Sequence, residues 1–334
     1  MKHAWRLYLL CLLALPAACA GPAPVQPPAL AGGPVAPGVS LLPGTFVAGQ
    51  QPDGNTLLLR GRDGLLVFDT GRHARHVQRI IDAAGGARLP VAAIVNSHWH
   101  LDHVSGNAAL RDAYPDAQVY ASIAIVGAMR GFLADYRAQL QAMIDKAPAN
   151  SVDAAGWHEE IARIDSGAKL FPTIPVTASQ PVTLAGRPLQ LGLETNAVSG
   201  GDVWMLDRQT GVLAAGDLVT LPAPLLDTAC ADGWRQALAR LDTVGFTTLV
   251  PGHGAPMDHA GFQRYRVAFD NLLTCAAGTE SSDTCRARWL RDVGTLIAPG
   301  DTALADTLLD YYIGQVLRAP RARRLQYCHA GAPG

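Results

Sequence analysis

The sequence has little net charge and few charged residues. It contains 27 lysines and arginines against 28 aspartates and glutamates, and charged residues make up 16% of its 334 positions. Because it has no long basic run, we expect no nucleic-acid partner. A small-molecule substrate fits better, and the length suits one catalytic domain of roughly two to three hundred residues with additions.

Long apolar runs are also missing. The run at residues 7–15 is far shorter than the ~20 residues that a membrane-spanning helix needs. It follows Lys2 and Arg6 and precedes small residues up to Ala20, which is the layout of a secretory signal peptide. We therefore expect residues 1–20 to be a signal peptide and the protein to be exported, either periplasmic or secreted.

The segment around the end of this signal allows a second interpretation. Cys19, after Ala17 and Ala18, resembles a lipoprotein acceptor site, so membrane contact is expected only if Cys19 is lipidated. Residues 21–43 are rich in Pro, Gly and Ala and are predicted to be a linker. The sequence carries no signal for an oligomeric state.

Cysteine is scarce, and four cysteines follow the signal peptide. An even number in an oxidising compartment favours disulfides. Cys275 and Cys285 flank a polar loop between two helical stretches, which predicts one pair, and elimination leaves Cys230 with Cys328. Four buried free thiols are the alternative. Neither pair has the spacing of metal ligands.

Strand and helix patterns alternate in the first half of the chain. Residues 55–71 form two apolar runs broken by Arg-Asp-Gly, which predicts a β-hairpin. A helical stretch "HVQRIIDAA" and a buried strand "VAAIVNS" follow. Two or three helices are expected between about residues 121 and 165, then several strands, one helix, one strand and a helical end. This order predicts an α/β sheet arrangement whose strand ends carry the chemistry.

Directly after the strand "VAAIVNS" comes "SHWHLDHVSGN", which places four metal-binding side chains within six residues. His98 and His100, two apart, can both face one ion, and Asp102 and His103 add two donors. Core packing rarely explains such a cluster. Neutral imidazole with carboxylate suits zinc, and also iron or manganese.

Two later strand ends offer matching donors. "AAGD" ends with Asp217 and "VPGHG" contains His253, and glycines beside both let the backbone approach a site closely. Either residue alone is an ordinary turn residue. Together with the first motif they predict one metal centre.

These residues resemble the metallo-β-lactamase superfamily over about residues 44–256, including Asp69-Thr70-Gly71. The resemblance implies an α+β, αββα sandwich of two mixed β-sheets covered by helices. It places a metallo-β-lactamase-like domain at 44–265, with a helical insertion at about 121–165 and a C-terminal helical extension at 266–334.

The resemblance also implies a two-metal groove. His98 and His100 would hold the first ion, Asp102, His103 and His253 the second, and Asp217 would bridge the two. One or two zinc ions are expected.

The sequence departs from the superfamily where a further histidine is usual. Counting back from Gly201-Asp202 puts Val198 at that place, and valine cannot coordinate a metal. Glu194 and Asn196, on the same face of a regular strand, are substitute-ligand candidates. His158 in the insertion is another.

The expected activity is metal-dependent hydrolysis. Two ions would generate a hydroxide near neutral pH and polarise a carbonyl or phosphoryl oxygen, and Asp102 would act as the catalytic residue that orients it and passes a proton. Few charges in the insertion and in the loop after Asp217 favour an ester, lactone, thioester or amide. A non-catalytic or weakly active metal-binding protein is the alternative, with β-lactamase activity ranked below both.

Overall fold

The structure is a computed structural model, and it describes residues 28–47, 50–148 and 151–328. The predicted signal peptide, Cys19 and residues 21–27 of the predicted linker lie outside the described residues. Within these ranges, no helix is both long and apolar enough to cross a membrane.

The described chain contains thirteen strands, eleven α-helices and a few short turns of 3₁₀ or π-helix. The strands are β1 (Gly33–Ala36), β2 (Val39–Leu42), β3 (Thr56–Arg60), β4 (Leu65–Phe68), β5 (Val91–Val95), β6 (Gln118–Ala121), β7 (Ile174–Pro175), β8 (Gln180–Leu184), β9 (Arg187–Glu194), β10 (Asp202–Asp207), β11 (Val212–Thr220), β12 (Thr248–His253) and β13 (Met257–Asp258). The helices are α1 (Ala74–Ala87), α2 (Leu101–Val104), α3 (Asn107–Ala113), α4 (Ala124–Arg130), α5 (Phe132–Ile144), α6 (Val152–Asp165), α7 (Ala231–Leu241), α8 (His259–Ala277), α9 (Ser282–Val293), α10 (Thr302–Tyr312) and α11 (Arg321–Arg324).

Two mixed sheets form the centre of the molecule. The seven-stranded sheet runs in the order β1 to β7, antiparallel up to β4 and parallel from β4 to β7. The six-stranded sheet has the order β13-β12-β11-β10-β9-β8, and its β11–β12 pair is parallel. The predicted hairpin is present as the antiparallel β3–β4 pair.

Leucines on alternating faces of β3 explain how the layers pack. Leu57 and Leu59 face the other sheet, in a cluster that includes Leu191 and Met205. Leu58 points the opposite way, into a cluster with Ile80 of α1. A strand buried on both faces is expected to be continuously apolar, and β3 is.

Helices cover the outer face of each sheet. Helices α1 and α3 pack on the seven-stranded sheet, and α7 to α10 pack on the six-stranded sheet around a cluster that contains Trp234, Phe269 and Trp289. The predicted αββα sandwich of two mixed sheets is therefore confirmed.

The structure corrects two predicted boundaries. Strands β1 and β2 lie inside the stretch 21–43 that composition assigned to a linker, and Val39 and Leu42 are buried. A short strand needs only a few apolar residues, which the surrounding Pro and Gly obscured. Helix α8 runs unbroken through position 265, so the C-terminal helices share one core with the sandwich.

The helical insertion comprises α4, α5 and α6, which pack together around their own apolar cluster with Trp99 and Leu101. Both predicted cysteine pairings are present as disulfides, Cys230 with Cys328 and Cys275 with Cys285. The first of these joins the start of α7 to the segment after α11.

Candidate metal centre

Asp69 and the predicted metal-binding residues converge from both sheets. Asp69 follows β4 and His98 follows its parallel neighbour β5. Asp217 lies in β11 and His253 ends its parallel neighbour β12. Because parallel strands end at the same sheet edge, each sheet contributes a pair of neighbouring strand ends to one groove.

Two glycines allow this close approach. Gly216 has a φ of 54°, and a Cβ there would lie 2.3 Å from Cβ of Ser97. At Gly252 a Cβ would lie 1.9 Å from Oδ1 of Asp217. A larger side chain at Gly216 would push the two sheets apart at the site, and one at Gly252 would displace the Asp217 carboxylate on the neighbouring strand.

Asp69 organises the histidines of the first motif. Its carboxylate accepts hydrogen bonds from the Ser97 backbone N–H at 2.7 Å, the Ser97 hydroxyl at 2.7 Å and His103 Nδ1 at 2.8 Å. Burial raises the pKa of Asp69, while His103 and Ser97 oppose that effect. Asp69 also has a φ of 59°, a left-handed conformation that is uncommon outside glycine.

These hydrogen bonds determine which ring nitrogens face the groove. Ser97 donates its hydroxyl proton to Asp69, so it accepts from His98 Nδ1–H at 2.9 Å. His103 likewise donates from Nδ1. Both rings therefore turn Nε2 to the site, the nitrogen that binds a metal once it carries no proton.

The donor atoms lie close together around a common point. His103 Nε2 is 3.2 Å from Asp217 Oδ1 and 3.5 Å from Asp102 Oδ2, and His253 Nε2 is 3.0 Å from Asp102 Oδ2. His98 Nε2 is 3.8 Å from Asp217 Oδ2. Two groups of potential ligands result, namely His98, His103 and Asp217, and Asp102, His103 and His253.

Several of these buried atoms have no hydrogen-bond partner among the described residues. Those that face the donor cluster are His98 Nε2, His103 Nε2 and both carboxylate oxygens of Asp217. Leaving a buried polar group unpaired is costly. A cation bound between these atoms would satisfy them, so the donor set fits a metal ion.

The pKa shifts agree with a cation site. Burial holds the pKa of His98 well below its ordinary value, so this ring is neutral. Burial alone would also lower the pKa of His103, but the carboxylates of Asp217, Asp102 and Asp69 together raise it well above the ordinary value. The three carboxylates therefore favour a proton on His103 when no metal ion is bound.

His100 belongs to neither ligand group. Its Nε2 is 2.8 Å from the Thr228 hydroxyl, which donates to the Val198 carbonyl at 3.0 Å. Thr228 therefore accepts from His100 Nε2–H, and Nδ1 is the nitrogen left without a proton. The backbone carbonyl of Val198, through the Thr228 hydroxyl, therefore determines which nitrogen of His100 carries the proton.

Glu194 and Asn196, the candidates for replacing the missing histidine, contact residues outside the two ligand groups. Val198 is fully buried in the apolar cluster with Trp234. Strand β9 ends at Glu194, so the regular strand assumed for the substitute ligands stops there, and Glu194 pairs with Arg240 at 2.6 Å. The side chain of Asn196 lies against Gly233 in α7.

His158 is exposed on α6 and is in neither ligand group. One further cluster of potential ligands contains Cys275, Glu280 and Cys285, but those cysteines form a disulfide and offer no thiolate.

A cavity of about 250 Å³ opens beside the centre. His100 and Asp102 line it together with the polar side chains of Gln51, Arg72 and Asp227, and the rest of its walls are apolar and aromatic. Trp99, Phe132, Leu133, Tyr136 and Leu225 form these walls. The insertion therefore supplies one side of the cavity.

The sequence profile of the metallo-beta-lactamase superfamily matches residues 50–273. The chain belongs to this superfamily. Members of the superfamily are mostly metal-dependent hydrolytic enzymes. The match spans both halves of the groove, from before Asp53 to beyond His253.

Solved structures share the metallo-beta-lactamase fold at low identity. A metallo-beta-lactamase from Pontibacter korlensis is 18% identical, with a TM-score of 0.54 over 73% of this chain and 100% of that chain. A metallo-beta-lactamase family protein from Thermus thermophilus is 19% identical, with a TM-score of 0.53 over 84% of this chain and 95% of that chain.

A stereoselective inverting sec-alkylsulfatase from Pseudomonas sp. is 18% identical, with a TM-score of 0.52 over 82% of this chain and 50% of that chain. A comparison with curated proteins gave no match. At this identity the likeness shows the fold and leaves the activity to the site itself.

Sequence reasoning identified the groove but missed residues that shape it. The motif around Asp69 gives no sign of its role, and nothing in the sequence distinguishes Ser97, Arg72 or Thr228. Thr228 contacts His100 across 128 positions of the chain. No local pattern in the sequence signals a hydroxyl at such a distance.

Proposed function

We propose that this protein is a metal-dependent hydrolase that acts on an ester, lactone, thioester or amide bond of a small molecule. The supporting observation is the convergence of buried, unpaired imidazole nitrogens and carboxylate oxygens at two parallel strand ends of each sheet. Zinc suits this set of nitrogen and oxygen donors, and iron or manganese would also fit.

A bound ion would supply a nucleophile from water near neutral pH and polarise the substrate oxygen. The chain's own residues have separate tasks. Asp69 and Ser97 hold the rings of His98 and His103 with Nε2 towards the groove. Asp102 lines the cavity and lies beside His253, where its carboxylate can orient a water molecule and pass a proton to the leaving group.

The cavity supports an apolar substrate group next to the bond that is broken. Among the described residues that line it, Arg72 is the sole arginine or lysine, and it is already paired with Glu160 at 2.6 Å. A polyphosphate would therefore find little compensating charge. An alkyl or aryl group can instead contact Trp99, Phe132 and Tyr136.

The experiment is metal analysis of the purified protein combined with hydrolysis assays on ester, lactone, thioester and β-lactam substrates. We expect bound zinc and turnover of a substrate with an apolar acyl group. His103→Ala should lose most of the metal and the activity, because His103 belongs to both ligand groups. His158→Ala, which changes an exposed histidine on α6, is the matched control and should alter neither.

One observation favours a second candidate, a metal-binding protein without turnover. Val198 leaves the first predicted metal site without its usual imidazole, so His98 and Asp217 have fewer partners there. About one equivalent of metal and no turnover on the panel would support this candidate. Absence of any bound metal would contradict both. Turnover of the β-lactam in preference to the other substrates would support the lactamase.

We also propose that the protein works outside the cytoplasm. Two disulfides support this, because disulfides persist mainly in oxidising compartments. Mass spectrometry of the native protein should find residues 1–20 removed, or a lipid on Cys19. An intact Met1 would contradict the proposal.

A further inference from the structure

Arg72 is a buried arginine next to the metal centre. It follows Gly71 in the segment between β4 and α1, and its side chain is 8% exposed. Its backbone is held at both ends, since its N–H donates to Asp53 at 2.7 Å and its carbonyl accepts from Arg163 at 3.0 Å. A buried arginine is rare unless charged partners compensate it.

The helical insertion provides one partner. Arg72 Nη1 donates to Glu160 Oε2 on α6 at 2.6 Å, and the other Glu160 oxygen accepts from Arg163 at 2.8 Å. Glu160 therefore lies between two arginines. Arg163 has a further partner in the exposed Glu159, whereas the second terminal nitrogen of Arg72, Nη2, faces the groove.

On the side of the groove, the carboxylate of Asp102 faces Arg72. Arg72 Nη2 is 3.6 Å from Asp102 Oδ1. The other oxygen of Asp102 is turned to the metal-binding histidines, 3.0 Å from His253 Nε2 and 3.5 Å from His103 Nε2. The two carboxylate oxygens thus have separate surroundings, a guanidinium on one side and the donor cluster on the other.

We propose that Arg72 is a positioning residue for the metal centre: it fixes the Asp102 carboxylate so that only Oδ2 faces the histidines that would hold an ion, and Glu160 of the insertion fixes Arg72. This inference rests on the metal-dependent function proposed above. It connects the insertion, which also forms the cavity wall, to a metal-binding residue through one buried chain of charges.

A purely structural role is the competing explanation. A buried ion pair that fastens α6 to the sandwich would contribute to stability without affecting metal affinity, and removing one partner would be destabilising. Metal affinity separates the two roles. Residues that orient a metal ligand commonly change affinity ten- to a hundred-fold when they are removed.

The test is zinc affinity, measured by competition with a chromophoric chelator, on the purified full chain and its variants. Arg72→Gln should weaken zinc binding by about ten- to a hundred-fold, and Glu160→Gln should weaken it in the same direction by less. Arg72→Lys keeps a charge near Asp102 but cannot span both carboxylates with one planar group, so it should recover part of the loss.

Arg137→Gln is the matched control. It breaks an exposed ion pair with Asp165 that joins α5 to α6, 2.7 Å long and within the same insertion. It should leave zinc affinity at the wild-type value. If Arg72→Gln does not fold, Glu160→Gln and Arg72→Lys carry the comparison.

Folded Arg72→Gln and Glu160→Gln variants with wild-type zinc affinity and a lowered Tm would overturn the inference and leave the proposed function standing. A wild-type protein that binds no zinc, iron or manganese would instead overturn the proposed function and the inference with it. The two failures are distinct, because only the second affects the wild type.

Discussion

Asp69 combines a left-handed backbone with a carboxylate that orients two histidines. Asparagine tolerates that backbone conformation, so Asp69→Asn changes the chemistry with little new strain. The variant loses an acceptor oxygen and places an N–H₂ against Ser97 or His103. We expect zinc affinity to fall by on the order of ten- to a hundred-fold, measured by chelator competition.

Asp207→Asn is a suitable control for this change. Asp207 is equally buried and pairs with Arg187, but it lies at the far end of β10 and is in neither ligand group. Its replacement should lower Tm and leave zinc affinity unchanged. Equal zinc affinity in Asp69→Asn and wild type would show that Asp69 has no such role.

His103 predicts a pH dependence of metal binding. Three carboxylates raise its pKa well above the ordinary value of 6.5, so the metal-free ring is protonated at pH 7. A metal must displace that proton, and affinity should therefore fall as pH is lowered. Calorimetry in two buffers of different protonation enthalpy should show that about one proton is released at pH 7 when the ion held by His103 binds. Binding with no proton release would contradict this.

Val198 leads to a prediction about the two ions. With only His98, His100 and Asp217 as candidate donors, the first ion should bind more weakly than the second, and a chelator should remove them in two steps. Val198→His should tighten the first site. In the metal-free protein it should lower stability by about 1–3 kcal/mol, because it places an unpaired polar ring in an apolar cluster. Equal affinities in the wild type would show that another side chain fills the gap.

At the level of elements, the insertion determines the outer wall of the cavity. Phe132 and Tyr136 of α5 both line it, so Phe132→Ala should enlarge it. We expect KM for substrates with a large apolar acyl group to rise about ten-fold, because the lost apolar contact is worth roughly 1–2 kcal/mol of binding free energy. Acetyl substrates should change little.

Met143→Ala is the control on the same helix, since Met143 is 39% exposed and is not among the lining residues. In this variant KM should stay at the wild-type level both for acetyl substrates and for substrates with a large apolar acyl group. A parallel loss on acetyl and larger substrates in Phe132→Ala would point to a disturbed metal centre in place of an altered wall.

The elements that sequence predicts well are those with a strong local pattern. Helix α1, the β3–β4 hairpin and strand β5 all follow apolar periodicity and turn residues, and the structure has them there. Strands β1 and β2 escape prediction because four residues each among Pro and Gly give too little pattern. Candidate ligands are likewise recognisable where they cluster locally or lie beside glycines.

The positioning residues escape sequence reasoning for a different reason. Arg72 meets Glu160 across 88 positions, and Asp69 meets His103 across 34. Their partners are set by how the sheets and the insertion pack, which no local spacing contains. The choice of Glu194 and Asn196 as substitute ligands assumed a regular strand up to Val198. That assumption does not hold, because β9 ends at Glu194.

For the whole molecule, the two disulfides should contribute unequally to stability. Cys230–Cys328 closes a loop with a sequence separation of 98 and Cys275–Cys285 one of 10. Loop-closure entropy predicts about 5 kcal/mol for the first and about 3 for the second. Replacing both cysteines of the first pair by serine should therefore lower Tm more than the same change in the second. The reverse order would show that strain or residual structure outweighs loop length.

The long separations within the metal centre have a consequence for biosynthesis. Asp102 and His253 are 151 positions apart, and the second sheet supplies Asp217 as well. A growing chain therefore holds no complete site until most of it has been made. If the chain crosses a membrane before folding, it meets its metal only on the far side. The ion that it acquires is then decided by the metal supply of that compartment, and not by the supply at the ribosome.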